Sequence, residues 1–315
     1  MIKERDFEIE RGGIRLDAAL LIALPTSSRT FIREALENGD ILVNGRKASK
    51  GMKVCGGEKV FVKALAELED NLVAPDPNIA LKCVWEDEAI LAFDKPRGIA
   101  VHPLSRSEKG TLMNGVVAKY PECAPLGDRP LMAGALHRID SGTSGLVLVA
   151  RTVRAFESLR AQFSAQEVEK TYLALVEGCV ATGATLENDL IHDPGLPYCR
   201  MLDAKQNRLT LAERAKARSF HAVTNFRPIA HTMEENEERT LLEVNIFTGV
   251  THQIRAQLAI AGMHIVNDRL YGAFAVENEV GHYLHALSAL FTHPATQEKI
   301  KISTALPEWA SKALA

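Results

Sequence analysis

The 315-residue sequence lacks most of the marks by which large protein classes announce themselves. It has five cysteines, at positions 55, 83, 123, 179 and 199, an odd number, widely spaced and without a C-x-x-C. Neither a disulfide framework nor a cysteine zinc site is expected from that pattern. No window approaches the ~20 apolar residues that span a bilayer. The N-terminal "MIKERDFEIERGG" is charged and has no apolar core of the kind a secretory signal needs. The expectation is a soluble, cytoplasmic protein without a membrane partner. Nothing matches G-x-x-x-x-G-K-[ST], and no G-x-G-x-x-G opens a helix, so no nucleotide phosphate cradle is expected. "GTSGL" is not a G-x-S-x-G nucleophile elbow, and "HRID" departs from the kinase catalytic loop, where Asp directly follows Arg. His282 and His285 in "HYLHAL" have the odd spacing that sends side chains to opposite faces of a strand, so no metal site is expected. There is no internal repeat and no low-complexity tract.

What is present begins with a core. Hydrophobic residues make up 46% of the chain, enough for a sizeable interior. The formal net charge is −3, but it is unevenly spread. Residues 11–63 carry ten Lys and Arg against five Asp and Glu, a local +5 that leaves −8 for the remainder. Within this basic part, Leu16, Leu20 and Leu24 recur at helical spacing, and Pro25 ends the pattern. Thr26, Ser27 and Ser28 offer N-cap hydroxyls to a second helix, with Ile32, Ala35 and Leu36 on its apolar side and Asn38-Gly39 as its stop. Short strands follow in "DILVNG" and "EKVFVKA", joined by the basic turn "RKASKG". Arg29 and Arg33 share one helix face, and Arg46, Lys47, Lys50 and Lys53 lie in the strand-turn segment. Such clusters converge on a phosphate-binding surface or form an ordinary solvated face.

The acidic, proline-containing "ELEDNLVAPDPNIA" (67–80) reads as a linker. The expected division is a small unit at 1–64, a linker at 65–80 and a larger domain at 81–315. In the larger part, "TVRAFESLRAQFSAQ" (152–166) predicts a helix capped by Thr152 with a stripe of Val153, Phe156, Leu159 and Phe163. "KTYLALVEG" (170–178) and "TLLEVNIFTG" (240–249) predict strands, "AHTMEENEERT" (230–240) an exposed hairpin or loop, and "THQIRAQLAIAG" (251–262) a helix with Thr251 as cap and Gly262 as stop. The fold class expected is α+β, with a mixed, mostly antiparallel sheet flanked by helices and loops, plus a small α/β domain.

One stretch joins charge to core. In "GALHRIDSGTSGLVLVAR" (134–151), Arg138 and Asp140 stand two residues apart, on one side of an extended segment, just before a continuous apolar run. Asp140 reads locally either as a turn residue or as a reactive carboxylate. Gly142 and Gly145 allow close approach by a ligand backbone, and the hydroxyls of Thr143 and Ser144 can bond a carboxylate or fix the turn.

Five ordered stretches carry a resemblance. "HRIDSGTSGLVLVAR" is similar to the H-R-L-D-x-x-T-S-G-L motif of the RluA-type pseudouridine synthases. "WEDEAILAFDKPRGIAVHP" (85–103), "EKTYLALVEG" (169–178), "TGVTHQIRAQLAIAGMHIVNDRLYG" (248–272) and "LHALSALFTHPAT" (284–296) resemble further motifs of that family, in its order. Residues 14–62 resemble the small RNA-binding module of the ribosomal protein S-four type, a usual companion. The resemblance implies the pseudouridine synthase fold, isomerisation of uridine to pseudouridine in structured RNA, most readily ribosomal RNA, and no cofactor or metal. It implies Asp140 as the essential carboxylate and Arg255 as its ion-pair partner. It implies Tyr172 as a ring that stacks on uracil with a hydroxyl able to move a proton, and Arg138 as an RNA contact that touches phosphate or fills the gap left by a flipped nucleotide. Lys95, Pro96 and Gly98 look structural or RNA-adjacent, and His137 either holds the loop or packs in the core. The chain departs from the family at Val250, where Arg is usual, at Gln257, where His is frequent, and at Asn267, where Gly is frequent. Two alternatives stay open: a synthase acting on tRNA, and a non-catalytic RNA-binding or ribosome-assembly factor. A monomer is expected.

Overall fold

The computed structural model describes residues 1–315 except 50, 68–71, 129–130, 194–199, 206–209, 211–216, 235–236, 275 and 277–278. Lys50, part of the linker and the tip of the acidic hairpin therefore lie outside the described residues.

The basic N-terminal part builds its own core. In chain order it contains β1 (Ile2–Glu8), β2 (Ile14–Arg15), α1 (Leu16–Ala23), α2 (Arg29–Asn38), β3 (Ile41–Val43), β4 (Arg46–Lys47), β5 (Lys53–Val54) and β6 (Lys59–Leu65). Leu16, Leu20, Leu24, Ile32 and Leu36 are all buried, so one apolar stripe from each helix faces a sheet of order β1-β6-β3-β4. Of the three hydroxyls before α2, only Ser28 caps it, accepting from the Phe31 amide; Ser27 Oγ donates to the Ala66 carbonyl and Thr26 to Glu67. Gly39 ends the helix at φ 81°, a left-handed position that glycine adopts without a Cβ penalty. The charged N-terminus forms β1 along β6. Most of its side chains are exposed, which suits a sheet edge.

The segment 72–80 is less free than its composition suggests. Val73 is buried among residues of the larger core, and Asn114 receives the Asp76 amide on its carbonyl while its side chain donates to the Ala74 carbonyl.

The larger part contains β7 (Cys83–Glu86), β8 (Ile90–Lys95), α3 (Leu112–Lys119), β9 (Ser144–Ala150), α4 (Val153–Ser164), β10 (Glu169–Glu177), β11 (Ala184–His192), β12 (Met201–Asp203), β13 (Phe220–Glu234), β14 (Glu237–Ile246), α5 (Gln253–Ile260), β15 (Leu284–Thr292), β16 (Lys299–Ser303) and α6 (Glu308–Leu314). Its sheet runs β12-β11-β13-β14-β10-β15-β9-β8-β7, with β16 paired to β15. Among the described strands, only the β15–β9 pairing is parallel. Every position of β9 is buried, as a strand covered on both faces requires. The acidic segment is a hairpin of β13 and β14, paired out to Glu234 and Glu237. Thr152 caps α4 by accepting from the Ala155 amide. Val153, however, is 60% exposed while Leu159 is fully buried. Six residues at 100° each place Val153 about 120° away from Leu159 around the helix, so the buried face runs through Ala155, Leu159 and the flanking Phe156 and Phe163.

Candidate active site

Asp140 lies in a tight turn immediately before β9, its carbonyl accepting from the Thr143 amide. The glycines of this turn are not there for a ligand. A Cβ on Gly142 would sit 2.9 Å from the His282 ring, and one on Gly145 would sit 2.2 Å from the Ala286 carbonyl oxygen. Gly145 has φ 109°, so it is also closed to L side chains on backbone grounds. The close approach is to β15, which must meet β9 here. Gly145→Ala is therefore expected to cost about 2–4 kcal/mol of unfolding free energy, since strain and overpacking add; a thermal melt matching wild type would contradict this. The two hydroxyls are also committed. Thr143 Oγ1 lies 2.7 Å from His282 Nε2 and Ser144 Oγ 2.9 Å from His285 Nδ1. His285 Nε2 goes on to Thr304. The two histidines are thus both buried, each tied to β9 or the turn before it by a hydroxyl. Burial holds both imidazoles down to about 4, so they are neutral at physiological pH.

Lys95 fixes the other side of the turn. Its Nζ is fully buried and donates to the carbonyls of Pro96, Ile99 and Ser141. Burial lowers its pKa to about 7, with the Asp140 charge pulling the other way. His137 is half-buried at the cleft wall: Nε2 accepts from the Leu148 amide, the ring stacks on Phe163, and burial holds it down to about 3.

The counter-charge to Asp140 comes from α5. Arg255 is 7% exposed, and its Nη1 donates to Asp140 Oδ2 at 2.7 Å across 115 residues of sequence. Its other edge is held by Asp268, a residue that sequence reasoning did not single out. Nε reaches Asp268 Oδ2 at 2.7 Å and Nη2 reaches Oδ1 at 2.8 Å. Asp268 is 2% exposed, so a buried bidentate pair sets the guanidinium plane before Asp140 is met. The sequence signal of Asp268 was its place in the stretch 248–272 that resembles the family, beside Asn267, where this chain departs from it. Asn267 has φ 63°, left-handed backbone that glycine or asparagine adopts most readily, and its side chain bonds the Glu279 and Gly281 carbonyls and the Val276 amide. Asparagine there replaces glycine without loss of conformation and adds three hydrogen bonds.

The α5 cap differs from the expectation. The cap is His252, not Thr251, with φ 52° and ψ 21°. Gln253 is folded back on its own turn, accepting from the Val250 amide and from Thr248 Oγ1. The left-handed turn puts His252 Nε2 3.7 Å from Asp140 Oδ1 and Nδ1 3.2 Å from the Tyr271 hydroxyl. His252 is thereby held beside Asp140 in a left-handed conformation that a non-glycine residue adopts at a cost. Gln257, the second departure, is fully buried: Oε1 accepts from Thr224, and Nε2 donates to Leu186, Asn188 and Ala222. It locks α5 onto β11 and β13 with every polar atom satisfied.

Tyr172 lies on β10, opposite Val244 and Ala286, where the register with β15 shifts between Thr171 and Tyr172. Such irregularities re-aim a side chain. The ring is 8% exposed, and burial, helped by the Asp140 charge, pushes its phenol well above the usual value. At neutral pH it is a donor, not a base. Asp140 behaves oppositely. Burial pushes its carboxyl up, but the charges of His252 and Arg255 and the Arg255 hydrogen bond outweigh burial and hold it below the usual carboxylate value. Burial also lowers His252, which leaves Arg255 as the permanent cation beside Asp140.

Asp140, Tyr172, Arg255, His252 and Arg138 all line one cleft of about 820 Å³. Arg138 is exposed there, while Asp140 pairs with Arg255 across the fold and not with its near neighbour. Arg29, Arg33, Arg46 and Lys47 are exposed on the N-terminal part, with Lys47 Nζ also donating to the Glu37 carbonyl at the end of α2. No helix among the described residues is long and apolar enough to cross a membrane.

A cleft walled by an ionised, arginine-held carboxylate and a tyrosine, on this mixed sheet, is a site built for chemistry on a substrate that enters it. Residues 89–260 match the RNA pseudouridylate synthase family and residues 14–60 match the S4 domain, so the chain belongs to the RNA pseudouridylate synthases and carries an S4 RNA-binding domain in its N-terminal part. It is 34% identical over 309 residues to the ribosomal large subunit pseudouridine synthase D of Xanthomonas campestris, covering 94% of this chain and 86% of that one. It is 34% identical over 261 residues to the enzyme of the same name from Salmonella typhimurium, covering 82% and 73%. With the RNA pseudouridine synthase YlyB of Bacillus subtilis it shares 31% identity over 95% of this chain and 92% of that one. Among solved structures, human RNA Pseudouridylate Synthase Domain Containing 1 has the same fold, with TM-score 0.59 and 21% identity over 76% of this chain and 89% of that one.

Proposed function

We propose that this chain isomerises uridine to pseudouridine in ribosomal RNA, acting as a cytoplasmic monomer, with Asp140 as the essential carboxylate. The observation that carries this reading is the Asp140–Arg255 pair: a carboxylate kept ionised at the wall of a cleft able to hold a flipped-out nucleotide. The reaction breaks the bond from uracil nitrogen to ribose carbon and forms a carbon–carbon bond to the same ribose. The hydrogen displaced from the base carbon is balanced by one gained at the freed nitrogen, so no oxidant is consumed. In this reading Tyr172 stacks on the uracil and donates from its phenol, Arg255 holds Asp140 charged, and Arg138 contacts the RNA opened by flipping. The relatives named for the ribosomal large subunit favour ribosomal RNA over tRNA. A pure binder has no use for a buried carboxylate held against an arginine, which weighs against the assembly-factor alternative.

The test is to incubate the protein with in-vitro transcribed large-subunit rRNA and, separately, tRNA, and to map pseudouridine. Modification of rRNA is expected. Modification of tRNA alone moves the substrate, and none on either removes the enzyme reading.

The N-terminal 1–64 would serve as an RNA-binding unit joined through 65–80 to the synthase domain at 81–315. Arg29, Arg33, Arg46 and Lys47, with Lys50, form its phosphate-contacting set. Replacing Arg29, Arg33, Arg46 and Lys47 by Gln should weaken RNA binding. The dependence of log affinity on log salt should flatten by roughly one unit for each phosphate no longer neutralised. An unchanged slope by filter binding would sink this role.

A further inference from the structure

The mouth of the cleft carries an aromatic ring that the proposed chemistry does not use. Phe247 is 43% exposed and lines the same cleft as Asp140 and Tyr172. A single exposed apolar side chain is ordinary, but this one differs in its support and its surroundings. Its backbone is pinned from below: the buried Lys170 Nζ donates to the Phe247 carbonyl at 2.9 Å and to the Thr248 carbonyl at 2.8 Å. Thr248, 8% exposed, donates to Gln253 at 2.9 Å. The ring therefore projects from a rigid platform, not from a pliable loop. Phe220 and Val250 line the same cleft. The Arg218 guanidinium lies 5.0 Å from the Phe220 ring. Val250 stands where related chains usually carry arginine, and here it packs against a small cluster with Leu190, Met201 and Tyr271. This stretch of the lining thus offers the Phe220 and Phe247 rings beside the Arg218 guanidinium, with an apolar side chain at Val250.

We propose that Phe247 is a specificity-determining stacking platform for an unpaired base flanking the target uridine in the RNA substrate. An aromatic face on a fixed backbone recognises a base by stacking, which is tolerant of sequence and insensitive to salt compared with phosphate contacts. The consequence is a preference for a target whose neighbour is unpaired and free to lie on the ring. This rests on the RNA pseudouridine synthase reading and adds to it a second nucleotide.

Three variants test it with in-vitro transcribed large-subunit rRNA. Phe247→Ala should raise KM roughly tenfold to a hundredfold, the size of one stacked base, with kcat within about twofold and the salt slope unchanged. Phe247→Leu keeps apolar bulk for folding, lacks a ring, and should raise KM similarly. Phe247→Trp should restore KM to within about threefold. In an Asp140→Asn background its emission, above that of Trp85 and Trp309, should be quenched when the transcript binds. If Phe247→Ala or Phe247→Leu leaves KM unchanged, or the Trp emission does not respond while RNA binds, the platform is wrong and the synthase reading stands. If wild type makes no pseudouridine, it is the synthase reading that fails.

Discussion

Asp140→Asn is expected to fold as wild type does and to lose pseudouridine formation by at least about ten-thousandfold, the size of effect seen when a reacting group of a catalytic set is removed. The two halves of this expectation have separate physical causes. Arg255 keeps its bidentate contact with Asp268 in the variant, and the new amide oxygen can still accept from Nη1, so no buried donor is orphaned. Two carboxylates presently share one guanidinium. Removing the Asp140 charge leaves Arg255 paired with Asp268 but gives up the stabilisation that the lowered Asp140 pKa reports, so the fold should persist with a modestly lower melting temperature. Asparagine cannot serve as a carboxylate toward ribose or base, so activity has nothing to fall back on. Single-turnover mapping of pseudouridine beside a thermal melt checks both. An active, well-folded Asp140→Asn would remove Asp140 from the centre of the mechanism.

Asp268→Ala is expected to cost stability and activity together. It leaves Arg255 buried with one partner where it had two, and breaking a buried ion pair typically costs about 3–5 kcal/mol. The guanidinium would no longer be held in plane, and misplacing a supporting group by an ångström can cost about a hundredfold in rate. The pH profile separates this from simple unfolding. In wild type the Asp140 carboxyl is held below its usual value. Its contribution to stability is therefore complete above the unfolded carboxylate value of about 4 and is lost as pH falls through the lower folded value. The same titration sets the acid limb of activity. When Arg255 is loosened, burial remains and the opposing charge weakens, so the Asp140 pKa rises and the acid limb moves to higher pH. An Asp268→Ala enzyme that is less stable but keeps the wild-type acid limb would show Asp268 to be a packing residue only.

Much of the local structure is legible in the sequence because it follows from spacing. Leu16, Leu20 and Leu24 face one core, Gly39 ends α2, and the apolar run after Asp140 is a buried strand. Within α4, the apolar stripe does not extend to Val153, which helical geometry puts on the other side. Elsewhere the illegible features depend on neighbours beyond a residue's own stretch. Thr251 has the residue type of a cap, but the turned-back Gln253 makes that cap unnecessary and leaves His252 left-handed beside Asp140. Gly142 and Gly145 look open to a ligand because nothing in their own stretch shows that His282 and Ala286 fill the space. Asp268 lies in a stretch that resembles the family, but nothing in that stretch shows that its carboxylate will hold Arg255.

The sequence by itself determined the elements, the basic N-terminal unit, the candidate carboxylate and, through its ordered motifs, the family. The resemblance also implied that Arg255 meets Asp140; only the tertiary structure brought Asp268 into that set and decided how the three are placed. Periodicity encodes which face of a helix or strand is apolar, and that is a local property. The meeting of Asp140, Arg255 and Asp268 depends on sheet order, with β9 parallel to β15, β15 antiparallel to β10, and α5 locked by Gln257 against β11 and β13. Those pairings bring a buried arginine to a carboxylate 115 residues away that stands, partly exposed, at the cleft wall. There the charge of one keeps the other ionised.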